Sequence, residues 1–586
     1  MRASPLQLKE KRTRQQGGSR PASSRGSLLR TSSETRGKRK LFTNSSSPTN
    51  TTGKRIRTEC PKTFSFASTE DYFALKPCRI QDEPHPYPQS DQHLLAQQGA
   101  FTLPPDPVQT ELMSTFFEFG HVWAPIIDPG WLNREKTPHL LFQSIFVAAS
   151  RMASRPNEDG PASEFYRKAK LLFFLASEPD PLVCVVSAIL LHWYNPVGAE
   201  AGPTDTSTFW LRAAETIAFQ AMLHKQPAAT DPQAGLRRRI WWTLVTRDCV
   251  HSAGIGRPRM INTSDSDVLL PSLDDFTEHD LQARTFPIYV SICRQLGDIV
   301  DKCLRRELYF EDQWSQAKSL FRWVKSELHT ISGPSQSNSL ETRQVLVTYF
   351  ASLIMLDRAQ AGGGVTGTGS SDGQGPQPST LPSVRALLAA SFIVGIYRDF
   401  LEKDELCRLG PPFTFFALCA GSVLIRACRF EAMWDAANED TIILKACLRI
   451  LARQCGSAAA VALRALQKLS EETVQQPPPL MATGDKPVPH ITNETRSYFD
   501  GFNKRWCRLW GPIVDRTHEG GVSDINGSLR SILDTYAASR PWGDVPHPGQ
   551  MDEGADTAMG MRIGMGSGLG GGGGRFDWGG SWLLDS

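Results

Sequence analysis

The residues of this chain that could do chemistry are few, and none of them completes a catalytic motif. His518-Glu519 begins like the zinc-protease motif, in which two histidines one helical turn apart bind the metal, but the second histidine is missing. Glycine-rich runs at 362–369 and 564–574 are low in complexity and follow no predicted strand, so they do not indicate a phosphate-binding loop. We therefore expect that the chain is not an enzyme.

Cysteine thiolates are the other candidate ligands, because closely spaced cysteines bind zinc. Cys60 follows a basic run, but the next cysteine is Cys78, eighteen residues further on, and the one after that is Cys184. Two thiolates at that spacing cannot build a two-metal cluster. As written, the sequence predicts no bound metal and no other cofactor.

Two compact basic clusters lie in a polar N-terminal stretch, and both indicate nuclear import or contact with nucleic-acid phosphates. A merely solvated basic tail is the alternative. The cluster residues are Arg36, Lys38, Arg39 and Lys40, then Lys54, Arg55 and Arg57. Residues 1–60 carry fifteen Lys/Arg and three Glu, which gives +12 in a chain whose total charge is +3. This asymmetry favours nucleic acid or the nucleus over a membrane.

The stretch 231–276 organises the rest of the chain. Asp231-Pro232 predicts a helix start, because aspartate can cap the first turn and proline loses no hydrogen bond at the first helical position. The spacing of Ile240, Leu244 and Val245, together with one of the two tryptophans, predicts one apolar face of this helix. Arg247-Asp248 is predicted to lie at the polar edge of that face.

The same stretch contains signals for the end of the helix and for the loop that follows. Gly254 and Gly256 can take the left-handed cap, and Arg257-Pro258 cannot continue a helix. An acidic, extended segment then runs to Phe276. The pattern therefore predicts a buried helix that leads into an ordered loop.

This ordered run of sub-motifs resembles the middle homology region of fungal zinc-cluster transcription factors. The resemblance rests on a basic and tryptophan-rich helix start, an aspartate, a Gly-Arg-Pro turn and an acidic loop. The residues are Arg238, Arg239, Trp241, Trp242, Asp248, Gly256, Arg257, Pro258 and Asp267. It implies that they hold together an all-α regulatory domain, and further phrases are similar to the cutinase and fatty-acid-responsive branch.

In that family a basic run leads into six cysteines that hold two Zn²⁺ ions and place a helix in the major groove. The run from Lys54 to Cys60 is similar to this lead-in, and residues 61–64 depart from it. Three explanations stay open: loss of the cluster, its omission by a gene-model error after Cys60, or a chance string of basic residues and a cysteine. Zinc and direct DNA binding are expected only if a missing cluster segment exists.

Composition divides the 586 residues into four parts. Residues 1–107 are predicted to be a disordered basic arm, 108–470 the regulatory domain with a flexible loop at 361–383, 471–540 a Pro-rich linker with a short helix, and 541–586 a disordered Gly-rich tail. Within them, helical periodicity covers 140–152, 166–175, 182–193, 208–225, 289–308, 314–328, 342–357, 384–402, 413–434, 441–469 and 496–510. The longest apolar run, 182–194, is shorter than the ~20 residues of a membrane-spanning helix.

We therefore predict an all-α, multi-helix regulatory domain with a disordered basic N-terminal arm and a Gly/Pro-rich C-terminal tail. By resemblance the chain is a nuclear RNA polymerase II transcription regulator whose helical domain senses an inducer or partner. The alternative is a cofactor without a zinc cluster that heterodimerises with, or titrates, a DNA-binding partner. Expected partners are DNA if the cluster is present, a second copy or a zinc-cluster protein, and a coactivator bound by the aromatic and acidic residues 576–585.

Overall fold

The computed structural model describes residues 89–132, 137–153, 162–175, 178–194, 206–305, 311–331, 339–361, 382–455, 457–475 and 491–515. Within these ranges the chain forms fifteen α-helices, several short 3₁₀ and π turns, and no strand. The predicted all-α fold is confirmed.

The helices follow one another in chain order. The first eight are α1 Gln89–Gln97, α2 Asp106–Thr115, α3 His139–Met152, α4 Ala162–Phe174, α5 Pro181–Leu191, α6 Ser207–Gln220, α7 Ala234–Ile255 and α8 Leu281–Arg305. The remaining seven are α9 Glu311–Ile331, α10 Leu340–Ala361, α11 Val384–Glu402, α12 Pro412–Ala427, α13 Trp434–Cys455, α14 Ser457–Gln475 and α15 Asn493–Ser497.

The first half of the fold forms around two helices that are apolar on every side. In α3 the residues 140–150 are all buried, and α3 packs against α2, α4 and α5. Helix α5 begins where Asp180 Oδ1 accepts the Leu182 backbone N–H at 2.8 Å, with Pro181 at the first helical position. A helix that is apolar all round is buried inside a protein, so the core of this half forms around α3 and α5.

The second half is a layered packing of long helices. Helix α8 packs against α7, α9 and α10, and α10 packs against α11 and α12. Helices α11 to α14 then pack on one another. Helix α7 contacts α6, α8 and α12, so it joins the two halves of the core.

Residues 491–515 form an irregular segment that is built into this core. The sequence predicts a helix over 496–510, and this is wrong, because only Asn493–Ser497 is α-helical. Phe499 stacks on Phe392 with ring centroids 5.6 Å apart, and the Trp506 indole N–H donates to Asp399 at 2.8 Å. Burial of these aromatic rings, rather than helical hydrogen bonding, holds the segment in place.

Several helix boundaries differ from the predicted ones. The helix predicted over 208–225 ends at Gln220, and Met222 takes a left-handed φ of 57° in the turn that follows. The helix predicted over 441–469 is two helices, α13 and α14. The structure also begins before the predicted arm boundary at residue 107, since α1 already buries Leu95. Hydrophobic periodicity continues across these helix ends, so it does not show where one helix stops and the next begins.

Among the described helices, none has the length and apolar character that a membrane crossing requires.

Gly395 of α11 tests how the 491–515 segment is held. A Cβ there would lie 2.0 Å from the Trp506 carbonyl oxygen and 2.4 Å from its Cα, both backbone atoms. We expect Gly395→Ala to displace the segment and lower the free energy of unfolding by about 3 kcal/mol. Urea unfolding and protease cleavage within 491–515 measure the two effects.

The matched control is Gly254→Ala in α7, where the new Cβ would lie 3.7 Å from the Phe415 Cβ, an ordinary contact. Alanine is the better helix former, so this variant should equal the unaltered protein or gain up to about 1 kcal/mol. Equal stability of the two alanine variants would show that the segment does not pack as described.

Candidate functional site

Helix α7, which carries most of the motif residues, is buried among the described helices α6, α8 and α12. Residues 240–250 are buried without interruption, including Trp241 and Trp242. The prediction of a single apolar face is therefore wrong, although the prediction of a buried helix is confirmed. The reason is tertiary: α6, α8 and α12 cover different sides of α7, so its polar side chains must find partners inside the protein.

The sequence predicts the C-terminal end of α7 correctly but not its N-terminal end. The predicted cap at Asp231 is wrong, because the helix begins at Ala234 and Asp231 Oδ1 instead accepts the Gln233 backbone N–H at 2.9 Å in the preceding turn. At the other end Gly256 adopts φ 64°, the left-handed cap that the glycine predicted.

Asp248 is the most connected group of the motif, and it was predicted at the polar edge of the helix. It is 0% exposed. Its Oδ1 accepts from Arg212 Nη1 of α6 at 2.7 Å. Its Oδ2 accepts the backbone N–H groups of Met260 and Ile261 at 2.9 and 2.8 Å. One carboxylate thus fixes α6, α7 and the loop after α7 relative to one another.

A second carboxylate shares the same arginine. Glu215 of α6 places both of its oxygens 2.6 Å from Arg212 Nη1. Burial, reinforced by the neighbouring Asp248 carboxylate, raises the pKa of Glu215 from 4.5 to about 8. At neutral pH this site therefore favours a proton on Glu215, because one guanidinium cannot compensate two buried negative charges.

The arginines at the start of α7 hold the far end of the loop. Arg238 Nε donates to Asp275 Oδ1 at 2.7 Å, and Arg239 Nη1 donates to the Asp275 carbonyl. Arg239 Nε also donates to the Pro125 carbonyl at 2.7 Å. Gly235 allows this approach, since a Cβ there would lie 2.9 Å from the Asp275 carbonyl oxygen. Both arginines are thus engaged with the protein itself.

The two tryptophans differ in their polar contacts. Trp241 is fully buried, its ring lies edge-on 5.6 Å from Phe219, and its indole N–H has no acceptor. Trp242 donates its indole N–H to the Leu269 carbonyl at 2.7 Å. Trp241 therefore acts as a core filler, whereas Trp242 also ties the loop to the helix.

The backbone of the Gly-Arg-Pro turn closes the C-terminal end of α7. Arg257 and Pro258 are exposed, and the Arg257 backbone N–H donates to the Ser252 carbonyl at 3.2 Å. Two residues after Arg257, Arg259 donates to Asp298 at 2.9 Å and to Asp301 at 2.7 Å on α8.

Asp267 is exposed and fastens the middle of the loop. Its Oδ1 accepts the Gln226 backbone N–H at 2.7 Å, and Gln226 in turn accepts the Leu269 backbone N–H at 2.9 Å. The loop from 257 to 276 is thus held at its start, middle and end, as the sequence predicted for an ordered loop.

Sequence reasoning missed four charged residues that the site depends on. They are Arg212, Glu215, Arg259 and Asp275. The Arg-x-x-Glu spacing of the first two, one helical turn apart, was the available signal for that pair. The predicted import and phosphate-contacting residues, Arg36, Lys38, Arg39, Lys40, Lys54, Arg55 and Arg57, lie outside the described residues, as does Cys60.

The chemistry of this site is structural. The ion pairs above are made within the chain, and the part of the chain that the structure describes contains no cluster of three or more His, Cys, Asp or Glu able to hold a metal ion. Arginines that already donate to internal carboxylates have few donors left for DNA phosphates. Within the described residues, Asp248, Arg238 and Trp242 of the motif thus hold elements of the fold together.

The chain is similar to known proteins over part of its length. Residues 113–347 match the family described as "Fungal specific transcription factor domain". The chain is 29% identical to "Cutinase transcription factor 1 alpha" of Fusarium vanettenii over 57% of this chain and 39% of the relative. It is 27% identical to "Cutinase transcription factor 1 beta" of the same fungus over 37% of this chain and 27% of the relative.

A third relative is the "Acetamidase regulatory protein" of Aspergillus oryzae, 25% identical over 52% of this chain and 41% of the relative. The matched parts thus span between about a quarter and two fifths of these relatives' own lengths. No solved structure matches the chain. The family and the relatives are transcription factors and not enzymes, in agreement with the prediction that the chain is not an enzyme.

Glu215, which shares Arg212 with Asp248, should make the free energy of unfolding depend on pH. The folded protein holds a proton on Glu215, whose pKa is about 8, while the unfolded chain releases it above 4.5. The stability from this group is fully present below pH 4.5 and is lost as the pH rises towards 8. Between about pH 5.5 and 8, Glu215→Gln should lower the pH dependence of the free energy of unfolding by up to about 1.4 kcal/mol per pH unit.

Urea unfolding at several pH values, followed by tryptophan fluorescence, measures these slopes. The control is Glu111→Gln, which removes a carboxylate from the exposed face of α2 and should leave the slope unchanged. If Glu215→Gln and the unaltered protein lose stability in parallel, Glu215 is not the proton-holding group.

Proposed function

We propose that this chain is a nuclear regulator of transcription by RNA polymerase II in a fungus, and that its helical domain responds to an inducer or a partner. The observation that supports it most is the fungal specific transcription factor domain at residues 113–347, whose buried motif helix and clamped loop form one connected scaffold. The basic clusters supply import or phosphate contacts in this proposal.

The arrangement of charges favours separate roles for the two regions. Arg238, Arg239 and Arg259 of the helical domain are engaged with internal acceptors. Compact clusters of Lys and Arg, such as those in the sequence at 36–40 and 54–57, can neutralise DNA phosphates. We therefore assign any DNA contact to the region around 36–60, and signal reception to the helical domain.

The loop after α7 supplies a surface for a protein partner. Its apolar side chains point outward although its backbone is held, since Met260 is 65%, Leu269 64% and Leu270 47% exposed. Exposed apolar groups on an ordered loop are typical of interaction sites. A second copy of the chain or a zinc-cluster protein is the partner that we propose.

A second candidate function rests on the cysteine spacing. After Cys60 the next cysteine is Cys78, which departs from the family's C-x2-C-x6-C pattern. A chain without that cluster would act through a DNA-binding partner, which it joins or titrates. Full-length protein separates the two candidates: sequence-selective binding to a random duplex library supports the regulator, and stable association with a zinc-cluster protein without DNA binding supports the cofactor.

The direct test is a tethering assay in a fungal host. The full chain is fused to a bacterial repressor's DNA-binding domain and directed to a reporter promoter that carries the repressor's operators. We expect the amount of reporter transcript to change at least about threefold, because a transcription regulator that is tethered to a promoter can still contact a coactivator. Replacing Trp578, Trp582, Leu583 and Leu584 by alanine should remove the change, since these side chains are the proposed coactivator contacts.

The control substitutes by alanine the exposed aromatic residue Trp323, which belongs to α9 and not to that tail. This variant should keep the reporter effect. A tethered chain that is present in the nucleus at normal abundance and leaves the reporter unchanged would contradict the proposal.

A further inference from the structure

Three leucines of the loop after α7 face solvent although the loop itself is ordered. Leu269 is 64%, Leu270 47% and Leu273 38% exposed. Their neighbours Val268 and Pro271 are buried and anchor this part of the loop to the protein. Because these two residues already fill the inward positions, the three leucines contribute little to the packing of the chain. We call Leu269, Leu270 and Leu273 the leucine surface.

The backbone beneath the leucine surface is held by hydrogen bonds from other parts of the protein. The Leu269 carbonyl accepts the Trp242 indole N–H at 2.7 Å, and the Leu269 backbone N–H donates to Gln226 Oε1 at 2.9 Å. The Ser272 backbone N–H donates to Asp275 Oδ2 at 3.0 Å. A partner that binds here therefore loses little free energy in ordering the loop. Since both backbone groups of Leu269 are already bonded, the contact is made by side chains and not by addition of a strand at this residue.

The stretch that carries the leucine surface is negatively charged. From residue 261 to residue 283 the sequence contains no Lys or Arg, and the exposed Arg257 and Arg284 lie beyond the two ends of this range. On the neighbouring turn, the half-buried Lys225 precedes Gln226. The exposed carboxylates between 261 and 283 are those of Asp265, Asp267, Asp274, Glu278 and Asp280. An apolar surface flanked by charges of one sign selects partners of the opposite sign.

We propose that the leucine surface binds a segment of a partner protein that is rich in Lys and Arg and also carries apolar side chains. The apolar side chains of the segment cover the leucines, and its cations pair with the flanking carboxylates. A symmetric contact between two copies of this surface would bring like charges together, which disfavours a second copy of the chain at this place. DNA phosphates and anionic lipid headgroups carry the same sign of charge as the loop and are repelled.

This inference rests on the proposed function, because it names the chemistry of the partner segment that the same loop binds. Peptide binding by the purified full-length chain is measured without transcription. If no basic peptide binds while the tethered chain still changes the reporter, this inference fails and the regulator stands. If the peptide binds and the reporter stays silent, the regulator fails and this inference stands.

The test is the fluorescence anisotropy of a labelled synthetic peptide of alternating leucine and lysine, titrated with the full chain. A leucine–glutamate peptide and a serine–lysine peptide of the same length are the comparisons, and both should bind at least about tenfold more weakly. For the leucine–lysine peptide, we expect the affinity to fall at least about tenfold between roughly 0.05 M and 0.5 M NaCl, because salt screens the carboxylates.

Two double variants separate the apolar contribution from the charged one. Leu269→Ser with Leu270→Ser should weaken binding of the leucine–lysine peptide about tenfold, since two apolar contacts are lost. Asp274→Asn with Glu278→Gln should weaken it about threefold and reduce its dependence on salt, since two carboxylates are removed. All four side chains are exposed, so both variants should keep the thermal midpoint of the unaltered protein. The charge variant tests the surface independently of the leucine variant.

The matched control is Leu94→Ser, which changes a leucine of α1 that is 39% exposed. This variant should bind the leucine–lysine peptide like the unaltered protein. Equal binding of the leucine–glutamate peptide, or undiminished binding by the folded leucine variant, would overturn the proposal. So would self-association of the unaltered chain that the leucine variant abolishes, measured by analytical ultracentrifugation, because a second copy would then occupy the leucine surface.

Discussion

The structure depends on one buried carboxylate. Asp248 lies in the middle of α7, fully shielded from solvent, and accepts from the Arg212 guanidinium and from two successive backbone N–H groups at 260 and 261. A charge in such a place is tolerated only when hydrogen bonds replace its hydration. The helix, its neighbour α6 and the loop can therefore satisfy this charge only in one relative arrangement, and the remaining loop contacts to Asp275 and Asp267 extend that arrangement.

Much of the fold could be predicted from the sequence, because helical periodicity and cap residues are local properties. Helix α11 has its predicted limits, and Gly256 caps α7 as expected. What periodicity could not show is which sides of a helix are covered. Helix α7 looked amphipathic, yet α12, which begins only at Pro412, covers one of its sides. The irregular segment 491–515 was misjudged for the same reason, since its stability comes from aromatic contacts with distant helices.

In the candidate site, too, the sequence shows neighbouring residues but not the contacts with distant elements. The motif residues were found by their order along the chain, but their partners were not, because Arg212 and Asp275 lie on other elements. Arg257 illustrates the consequence: its place in the motif suggested an internal role, but its side chain is exposed. The neighbouring Arg259 forms ion pairs with Asp298 and Asp301 of α8.

The measurement that tests the role of Asp248 most directly is the free energy of unfolding of Asp248→Ala, compared with Asp274→Ala in the exposed part of the same loop. A buried network centre predicts a loss of about 3–5 kcal/mol for Asp248→Ala, with protease cleavage in the 257–276 loop. The exposed control should stay within about 0.5 kcal/mol of the unaltered protein. If Asp248→Ala were as stable as that control, the arrangement of α6, α7 and the loop would not depend on this carboxylate.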